Sequence, residues 1–573
     1  MIRRSGGAAA VRVAVPRPRR TCVVLCVLLL TAALVPSCRR QQALGGRFVY
    51  SMQAEPTTLN FVAGSDFPST LVERLISDFL VDHDTSLAIV PRLAESWAWS
   101  EDGRTLTFRL RPGVRFHDGV PLTSADVLFT YERLIDPKSK AHGRLDGFLS
   151  VERVAAPDPG TVVVTYREPY APALRAWQVP ILPAHRYRGA DFETAPENRS
   201  PIGAGPFRFV AWETGRRIVL RANEDYWGGR PALDEFVFQF QPSLDTALLA
   251  LLSGEVDYAK LTASAWEARR GDSEFASRYR VLNFTPLFFY YIAWRGDGSN
   301  PFFADPAVRR ALGLALDRQG YVRSVLHGLG EPIASPFAPL LPSQDAGRPP
   351  EQEAAEAGPL RFDPDEAARL LDMAGWRIDR RTGQRARGGL PFRFTLLVFA
   401  GSEDHIQFAQ VAQDALARIG VTMRVERLDW PALYARLKSG AFEAALSGFT
   451  PPPDPDSLYG MLHSSQIGGG QNYAAYRDPE VDRWMDEGRR TPDSPARTAL
   501  YRRVEERLAT TQPYACLFAP TVVGAINARF EMVHPSPMGI IGHVPGALAI
   551  RLATGADTSP AASPGGSRTG AGG

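Results

Sequence analysis

The side chains that most often do chemistry are spread along this sequence and match no known catalytic pattern. Its 573 residues contain no G-x-S-x-G nucleophile motif, no phosphate-binding P-loop and no H-E-x-x-H zinc motif. Its nine histidines include no pair at metal-site spacing within a predicted helix. The sequence therefore predicts no catalytic residues, no metal site and no cofactor, and it favours a binding protein over an enzyme.

Residues at strand ends and in loops are the better candidates for function. The chain has 10 tryptophans and 17 tyrosines, most of which we expect in its cores. The aromatic residues at strand ends and in loops are the exceptions, and four of them are candidates for contact with a ligand: Tyr290, Trp294, Phe449 and Tyr473. A core position is the alternative for each of them.

Hydrophobic periodicity indicates the elements that must position these residues in the first half of the chain. Arg47–Ser51 is expected to be the first strand. Thr105–Arg111 alternates apolar and polar residues, which predicts a strand with one buried face. Thr123 then occupies an N-cap position with Asp126 three residues later, so a helix is expected to follow.

The second half predicts an α/β unit with parallel strands. Phe392–Ala400 is expected to be a strand, Ile406–Ile419 a helix and Val421–Val425 the next strand. Phe442–Phe449 predicts a further strand, and Phe288–Trp294 is strongly β-prone. Asp-Pro pairs at 305–306, 363–364 and 478–479 predict three helix starts, since Asp caps a helix and Pro fits its first position.

The N-terminus has the composition of a secretory leader. Residues 1–37 carry six arginines and no acidic residue, and they include an apolar run from Cys22 to Val35. Removing six positive charges from the formal net charge of +3 leaves −3, so the mature protein is mildly acidic and nucleic acid is not expected as a partner. Val35-Pro36-Ser37-Cys38 resembles a lipobox, which predicts lipidation of Cys38; ordinary cleavage nearby is the alternative.

Beyond Cys38 the body of the chain has a single cysteine, Cys516, so no intramolecular disulfide is expected. Cys516 lies among apolar residues and is expected to be buried and inert.

Two segments carry a resemblance to a known family. The stretch Leu93–Leu134, which reads LAESWAWSEDGRTLTFRLRPGVRFHDGVPLTSADVLFTYERL, resembles the signature region of the family 5 solute-binding proteins, and the run Pro201–Phe240 resembles their second diagnostic block. The resemblance extends in ordered blocks from Arg47 to Arg551. It implies an α/β, two-lobed periplasmic-binding-protein fold of type II-like form, with an accessory subdomain and a ligand cleft between the lobes. A cleft between two such lobes takes its contacts from strand-end loops. The resemblance therefore implies that the four aromatic candidates line the cleft together with Gln53, Glu55, Ser402, Thr450, Asp454 and Asn472. A solvated loop is the alternative for Gln53 and Glu55.

The resemblance also implies how the chain is divided. Residues 1–37 would be the signal peptide, 38–46 the lipid-anchor linker and 554–573 a disordered tail. Lobe 1 would be discontinuous and comprise residues 47–74, 203–285 and 512–553. Residues 75–202 would form the accessory subdomain, and residues 286–511 would form lobe 2.

The function implied by the resemblance is capture of a small solute, peptide-like in the first instance, outside the cytoplasm. A monomeric receptor, anchored through a lipidated Cys38 in the periplasmic or extracytoplasmic space, would deliver the solute to an ABC permease whose ATPase subunits drive import. The same fold binding a nickel chelate or an oligosaccharide is an alternative, as is a receptor that presents its ligand to a sensor.

The loop after Phe449 departs from the family pattern. In peptide-binding members, a carboxylate in this loop holds the α-ammonium group of the ligand. Here Pro451-Pro452-Pro453 occupies the expected position, and proline offers neither charge nor a backbone donor. Asp454 is a candidate substitute, and turn formation before Pro455 is its alternative role.

Overall fold

A seven-stranded mixed sheet, here called the first sheet, is assembled from three distant parts of the chain. The structure is a computed structural model that describes residues 45–64, 66–139, 146–192, 194–341 and 361–554. The leader, Cys38 and residues 555–573 lie outside the described residues. The strands of the first sheet are, in spatial order, Tyr279–Phe284, Val522–Asn527, Tyr258–Leu261, Arg47–Met52, Glu235–Phe240, Arg217–Ala222 and Phe207–Glu213.

The second sheet has five strands and is covered by helices on both faces. Its strands are, in spatial order, Thr422–Leu428, Arg393–Phe399, Ala444–Phe449, Phe289–Trp294 and Tyr514–Cys516. Alternate residues of Phe289–Trp294 belong to two different cores, because successive side chains of a strand point to opposite faces. The predicted pairing of parallel strands is confirmed, since Arg393–Phe399 runs parallel to Thr422–Leu428 in full register.

The third sheet lies within residues 75–202, the predicted accessory subdomain. It is antiparallel, with strand order Ala94–Trp99, Thr105–Leu110, Thr161–Tyr166 and Val151–Asp158. Leu106 and Phe108 of the predicted alternating strand are fully buried in its core. The predicted cap of the next helix is confirmed, because Asp126 Oδ2 accepts a hydrogen bond from the Thr123 backbone N–H at 2.8 Å.

The longer helices are Phe67–Ile76, Ser124–Leu134, Leu244–Ser253, Pro306–Leu314, Arg318–Ser324, Pro364–Met373, Glu403–Arg418, Trp430–Ser439, Pro479–Arg490 and Pro495–Thr511. Short helices are Ala173–Ala176, Ala184–Tyr187, Ala263–Glu267, Ser273–Arg278 and Tyr459–Leu462. Each Asp-Pro helix start is confirmed: Asp305, Asp363 and Asp478 all accept backbone hydrogen bonds from the first turn. No helix within the described residues is long and apolar enough to cross a membrane.

The chain crosses between the first and second sheets twice. It leaves the first sheet at Phe284 and enters the second at Phe289, and it returns after Cys516 to begin Val522–Asn527. The hydroxyls of Thr285 and Thr521 lie 3.5 Å apart, so the two crossings run side by side. Residues 514–516, which the resemblance assigns to lobe 1, pair with Phe289–Trp294 in the second sheet. The residue limits of the lobes stay a prediction.

Cys516 is 4% exposed, and burial raises the pKa of its thiol to about 12. The predicted burial of Cys516 is confirmed, and the raised pKa disfavours the reactive thiolate at neutral pH.

Candidate ligand cleft

Strand register places the carboxyl-terminal strand ends of the first sheet beside residues 285–288 and 517–521, the two segments in which the chain crosses between the sheets. Arg47–Met52 and Glu235–Phe240 run parallel and end opposite each other, with Met52 paired to Phe240. Leu261, the last residue of its strand, pairs with Val523 immediately after the return crossing. The carboxyl ends of three strands thus lie at one edge, where open α/β sheets bind ligands.

The second sheet presents the same kind of edge to the crossings. Phe399 and Leu428 end their parallel strands opposite each other. Phe449 ends the neighbouring strand and pairs with Phe289, which is the first residue after the outward crossing. The strand-end edges of both sheets therefore adjoin the crossings, and the crevice between them is the candidate ligand cleft.

Gln53 and Glu55 lie on the first-sheet side of the cleft and have different roles. Gln53 directly follows Met52, and its buried Nε2 has no hydrogen-bond partner among the described residues. Glu55 Oε1 accepts a hydrogen bond from Trp212 Nε1 at 2.6 Å, and Oε2 accepts one from Gly215 N at 2.8 Å. The Glu55 carboxylate therefore holds the loop after Met52 against the hairpin that contains Trp212 and Gly215, whereas the Gln53 amide can still donate a hydrogen bond.

Tyr290 and Ser402 meet at the second-sheet side of the cleft. Tyr290 donates a hydrogen bond from its hydroxyl to Asp404 Oδ2 at 2.8 Å, and burial followed by the nearby Asp404 charge raises its pKa above the usual value. Ser402 caps the helix Glu403–Arg418 by accepting from His405 N at 3.3 Å. Asp404 is half-buried and pairs with no basic side chain among the residues described.

The sequence analysis missed Asp404 because it predicted the helix to begin at Ile406 rather than at Glu403. A turn of the form Gly-Ser-Glu-Asp after a parallel strand was the available signal, because Ser is a preferred N-cap. The half-buried carboxylate gives this side of the cleft a group that can accept hydrogen bonds from a cation.

An exposed aromatic surface lies next to the strand ends of the second sheet. Trp430 is 49% exposed, stacks on Tyr434 at 6.2 Å and meets the Phe399 ring edge-on at 5.8 Å. The sequence analysis missed Trp430 because it predicted the preceding strand to end at Val425, whereas the strand continues to Leu428. Such a ring offers apolar area with little conformational entropy to lose.

Phe449 and Thr450 also occupy the cleft edge. Phe449 is half-buried and packs edge-on against Phe289 at 5.9 Å, while Thr450, the next residue, is exposed. Phe449 thus belongs mostly to the core, and Thr450 is the first residue of this loop that a solute can reach.

Asp454 is engaged in a buried ion pair and forms a turn. Its two carboxylate oxygens accept from Arg497 Nη2 at 2.6 Å and Nη1 at 3.2 Å. Arg175 Nε lies 3.3 Å away, and Asp456 N donates to Asp454 Oδ1 at 2.8 Å. Because these partners occupy both oxygens, the geometry favours the turn-forming role and leaves no carboxylate free for a ligand ammonium group.

Three expected cleft residues lie elsewhere. Trp294 is 1% exposed and pairs with Ala444. It is the last residue of the strand that Phe289 begins, so at about 3.4 Å per residue it lies about 17 Å from Phe289 and from the cleft edge. Asn472 is buried. Its Nδ2 donates hydrogen bonds to the His463 and Tyr476 carbonyl oxygens, and its Oδ1 accepts one from the Tyr476 backbone N–H. Both side chains therefore lie away from the candidate cleft edge, and their part in ligand binding stays a prediction.

Tyr473 is half-buried near that distant end, where its carbonyl oxygen lies 3.5 Å from Arg295 Nη1. It lines a cavity of about 60 Å³ together with Arg295, Lys438 and Asn472. This volume holds one or two waters, so the cavity is no site for a peptide-sized solute.

Comparison with known proteins identifies the class of protein that this fold and cleft define. Residues 88–470 match the sequence profile described as bacterial extracellular solute-binding proteins, family 5, middle region. Protein XP55 of Streptomyces lividans is 33% identical over 473 residues, which cover 82% of each chain. The chain belongs to the family 5 extracellular solute-binding proteins.

Relatives and solved structures agree with this assignment. The oligopeptide-binding protein AppA of Bacillus subtilis is 29% identical over 542 residues, covering 90% of this chain and 96% of AppA. The structure of that AppA in complex with a nonapeptide superposes with a TM-score of 0.76 at 28% identity, over 90% of this chain and 100% of AppA. NikA from Brucella suis in complex with Fe(III)-EDTA, at 22% identity and a TM-score of 0.77 over 88% and 100% of the two chains, shares the fold. The two-lobed α/β fold expected from the resemblance is confirmed.

Proposed function

We propose that this protein captures a peptide outside the cytoplasm and delivers it to the permease of an ABC importer, whose ATPase subunits supply the energy. The observation that carries the proposal is the convergence of two sets of strand ends on one crevice. Among the described residues, that crevice has a Gln53 amide whose Nε2 has no hydrogen-bond partner, an Asp404 carboxylate without a basic partner and an exposed ring at Trp430. A peptide presents complementary groups: an ammonium group, backbone carbonyls and apolar side chains.

The relatives support a peptide as the solute. AppA of Bacillus subtilis is named as an oligopeptide-binding protein, and its structure holds a nonapeptide. The proline run at 451–453 removes the usual ammonium-binding carboxylate, so the ammonium group would be bound at Asp404 in this chain.

Binding would work by closure of the lobes around the solute. A peptide that contacts Gln53 on one side and Asp404 or Trp430 on the other interacts fully only when both sheet edges approach it. It therefore shifts the population toward the closed form, with residues 285–288 and 517–521 absorbing the rotation. The closed receptor is the form that the permease would recognise.

A thermal-shift screen tests the class of solute. Tetrapeptide pools, nickel chelates and oligosaccharides are added separately to the purified mature protein. A solute at about 100 times its Kd stabilises the native state by about 2.7 kcal/mol, so a peptide pool is expected to raise Tm by about 3 °C or more. A shift with a chelate or an oligosaccharide but with no peptide pool overturns the peptide proposal. Recovery of a chemically altered solute after incubation would indicate an enzyme.

We further propose that the mature protein is a monomer anchored through lipidated Cys38. Radiolabelled palmitate is expected to enter the wild type and not Cys38→Ser, and light scattering is expected to give the mass of one chain. Equal labelling of both forms would overturn the anchor.

A further inference from the structure

We propose that Lys260 binds a carboxylate group of the solute on the first-sheet side of the cleft. The inference rests on the proposed peptide-binding function and adds a specific preference to it. The carboxylate has two possible sources, the C-terminus of the peptide or an acidic side chain.

The position of Lys260 places its side chain close to the cleft. Lys260 is the second-last residue of Tyr258–Leu261, the strand that ends beside the return crossing. Its strand partner is Gly524, which has no side chain to cover it, and the Tyr258 ring occupies the space above that glycine. The lysine is half-buried, and its Nζ lies 6.0 Å from the centre of the Phe67 ring, which is itself 63% exposed.

The charge of Lys260 has no counterion in the described part of the chain. Among the residues that the structure describes, no carboxylate pairs with its Nζ and no acceptor receives a hydrogen bond from it; its Nζ faces the ring of Phe67. Burial lowers the pKa of Lys260. The carboxylate of Asp66, next to Phe67 in sequence, is engaged by Ser69, which donates to it from both N and Oγ.

An unpaired, half-buried ammonium group is costly, because burial removes part of its hydration without an ion pair in return. A carboxylate brought by the solute would supply that ion pair. By contrast, Lys438, at the distant cavity, already donates to the Gly469 and Gly470 carbonyls at 2.6 and 3.0 Å. Lys260 is therefore prepared for an anion in a way that Lys438 is not.

Three tetrapeptide pools distinguish the two carboxylate sources. The first pool has free C-termini and no acidic residues, the second is C-terminally amidated without acidic residues, and the third is amidated with one Asp in every peptide. Isothermal titration with wild type, Lys260→Met and Lys438→Met gives the apparent Kd for each pool. Methionine has a side chain of similar length to lysine but carries no charge.

Wild type is expected to bind the first or the third pool about 10-fold more tightly than the second, and Lys260→Met is expected to lose that preference. Lys260→Arg and the control Lys438→Met should keep it. A preference for the first pool assigns the C-terminus, and one for the third assigns an acidic side chain. Equal binding of all pools by wild type, or an unchanged preference in Lys260→Met, overturns the role of Lys260. Binding of no pool by wild type instead overturns the proposed peptide function.

Reductive ¹³C-methylation provides a direct readout on folded protein. The sequence has four lysines, at positions 138, 140, 260 and 438, so the dimethyl-lysine spectrum is simple and Lys260→Met assigns one signal. Adding the preferred pool is expected to shift the Lys260 signal and leave the Lys438 signal in place. A Lys260 signal that does not move at saturation contradicts the contact.

Discussion

At the scale of single residues, the partners of each acidic side chain near the cleft indicate whether it stabilises the fold or is available to bind a ligand. Asp454 and Asp456 are buried and held by arginines: Arg497 binds the first, and Arg489 Nε lies 2.9 Å from the second. Asp404 is less buried, and within the described ranges its carboxylate accepts a hydrogen bond from the Tyr290 hydroxyl and pairs with no arginine. A buried carboxylate whose arginine partner is fixed cannot exchange it for a ligand without a large loss, so recognition falls to the acid without such a partner.

Replacing Asp454 tests its structural role. Asp454→Ala leaves the Arg497 guanidinium, 3% exposed, with its main counterion removed, and the expected loss of unfolding free energy is about 3 kcal/mol. Urea unfolding followed by circular dichroism measures the loss. Asp493→Ala is the matched control, because Asp493 lies 3.8 Å from the same arginine but is 90% exposed, and it should cost under about 1 kcal/mol. Equal stability of Asp454→Ala and wild type would show that the pair contributes little.

His117 gives the fold a defined dependence on pH. Its Nδ1 accepts from Gly203 N at 3.3 Å and its Nε2 donates to the Gly205 carbonyl at 3.0 Å, so the neutral ring uses both nitrogens. Burial lowers its pKa to about 4; the Gly205 bond raises it, Arg208 lowers it and Asp118 raises it by smaller amounts. A second proton would place two donors, Nδ1–H and Gly203 N–H, against each other.

Stability is therefore expected to fall as pH drops from about 6.5 to about 4. Over that range the unfolded chain binds a proton at this histidine and the folded chain does not, so protonation favours unfolding. His117→Gln should reduce the loss over this range by about 2 kcal/mol relative to wild type, in urea titrations at pH 6.5 and pH 4. A loss of the same size in both proteins would exclude His117 as its source.

At the scale of elements, short-range signals predicted the fold well where each was local. Asp305-Pro306 set a helix start by itself, because capping and the fixed φ of proline act within one turn. Alternation at Thr105–Leu110 fixed the buried face of its strand. The pairing of Tyr514–Cys516 with Phe289–Trp294 was not predicted, because it depends on contacts about 220 residues apart in sequence.

The candidate site was predicted only in part for the same reason. Gln53, Tyr290 and Thr450 lie at the cleft edge, because strand ends are visible in sequence. Trp294 lies at the far end of its strand, because register decides which end of an antiparallel strand meets the crossings. Lys260 and Trp430 were not predicted because their significance lies in what surrounds them: no counterion among the described residues for Lys260, and exposure of the ring for Trp430.

The exposed helix start at Trp430 predicts a separation of binding from stability. Trp430 follows the N-cap Asp429 and is half in solvent, so Trp430→Ala should change unfolding free energy by less than about 1 kcal/mol. Loss of its ring from the cleft should weaken binding of apolar peptides about 10-fold. Titration of the peptide pools measures the effect, and Trp99→Ala is the tryptophan control, because Trp99 is 37% exposed and lies in the third sheet. If Trp430→Ala binds the peptides with wild-type affinity, the Trp430 ring is not part of the binding site.

At the scale of the whole molecule, the accessory subdomain contacts the second lobe as well as the first. Ala171 N donates to the Arg489 carbonyl at 2.7 Å, Glu168 pairs with Arg490 at 2.8 Å, and Arg175 reaches Asp454 at 3.3 Å. These contacts join residues 168–175 to the loop and helix that follow the second-sheet cleft edge. We call these contacts the bridge. They form without a ligand, so they should shift the equilibrium between open and closed lobes toward the closed form before a solute binds.

Breaking the bridge is expected to open the receptor. Glu168→Ala with Arg175→Ala removes one exposed and one half-buried ion pair, together about 1 kcal/mol, so the ratio of closed to open receptor without ligand should fall about 5-fold. Spin labels at Glu101→Cys, in the turn between the first two strands of the third sheet, and at Glu480→Cys, in the helix Pro479–Arg490, report the distance distribution. Peptide affinity should weaken by the factor by which the closed fraction falls, because part of the binding energy is then used for closure. Glu152→Ala is the matched control: it breaks an ion pair of similar exposure, with Arg104 at 3.3 Å, inside the third sheet. If the control and the double variant give the same distance distribution, the bridge does not set the position of the lobes.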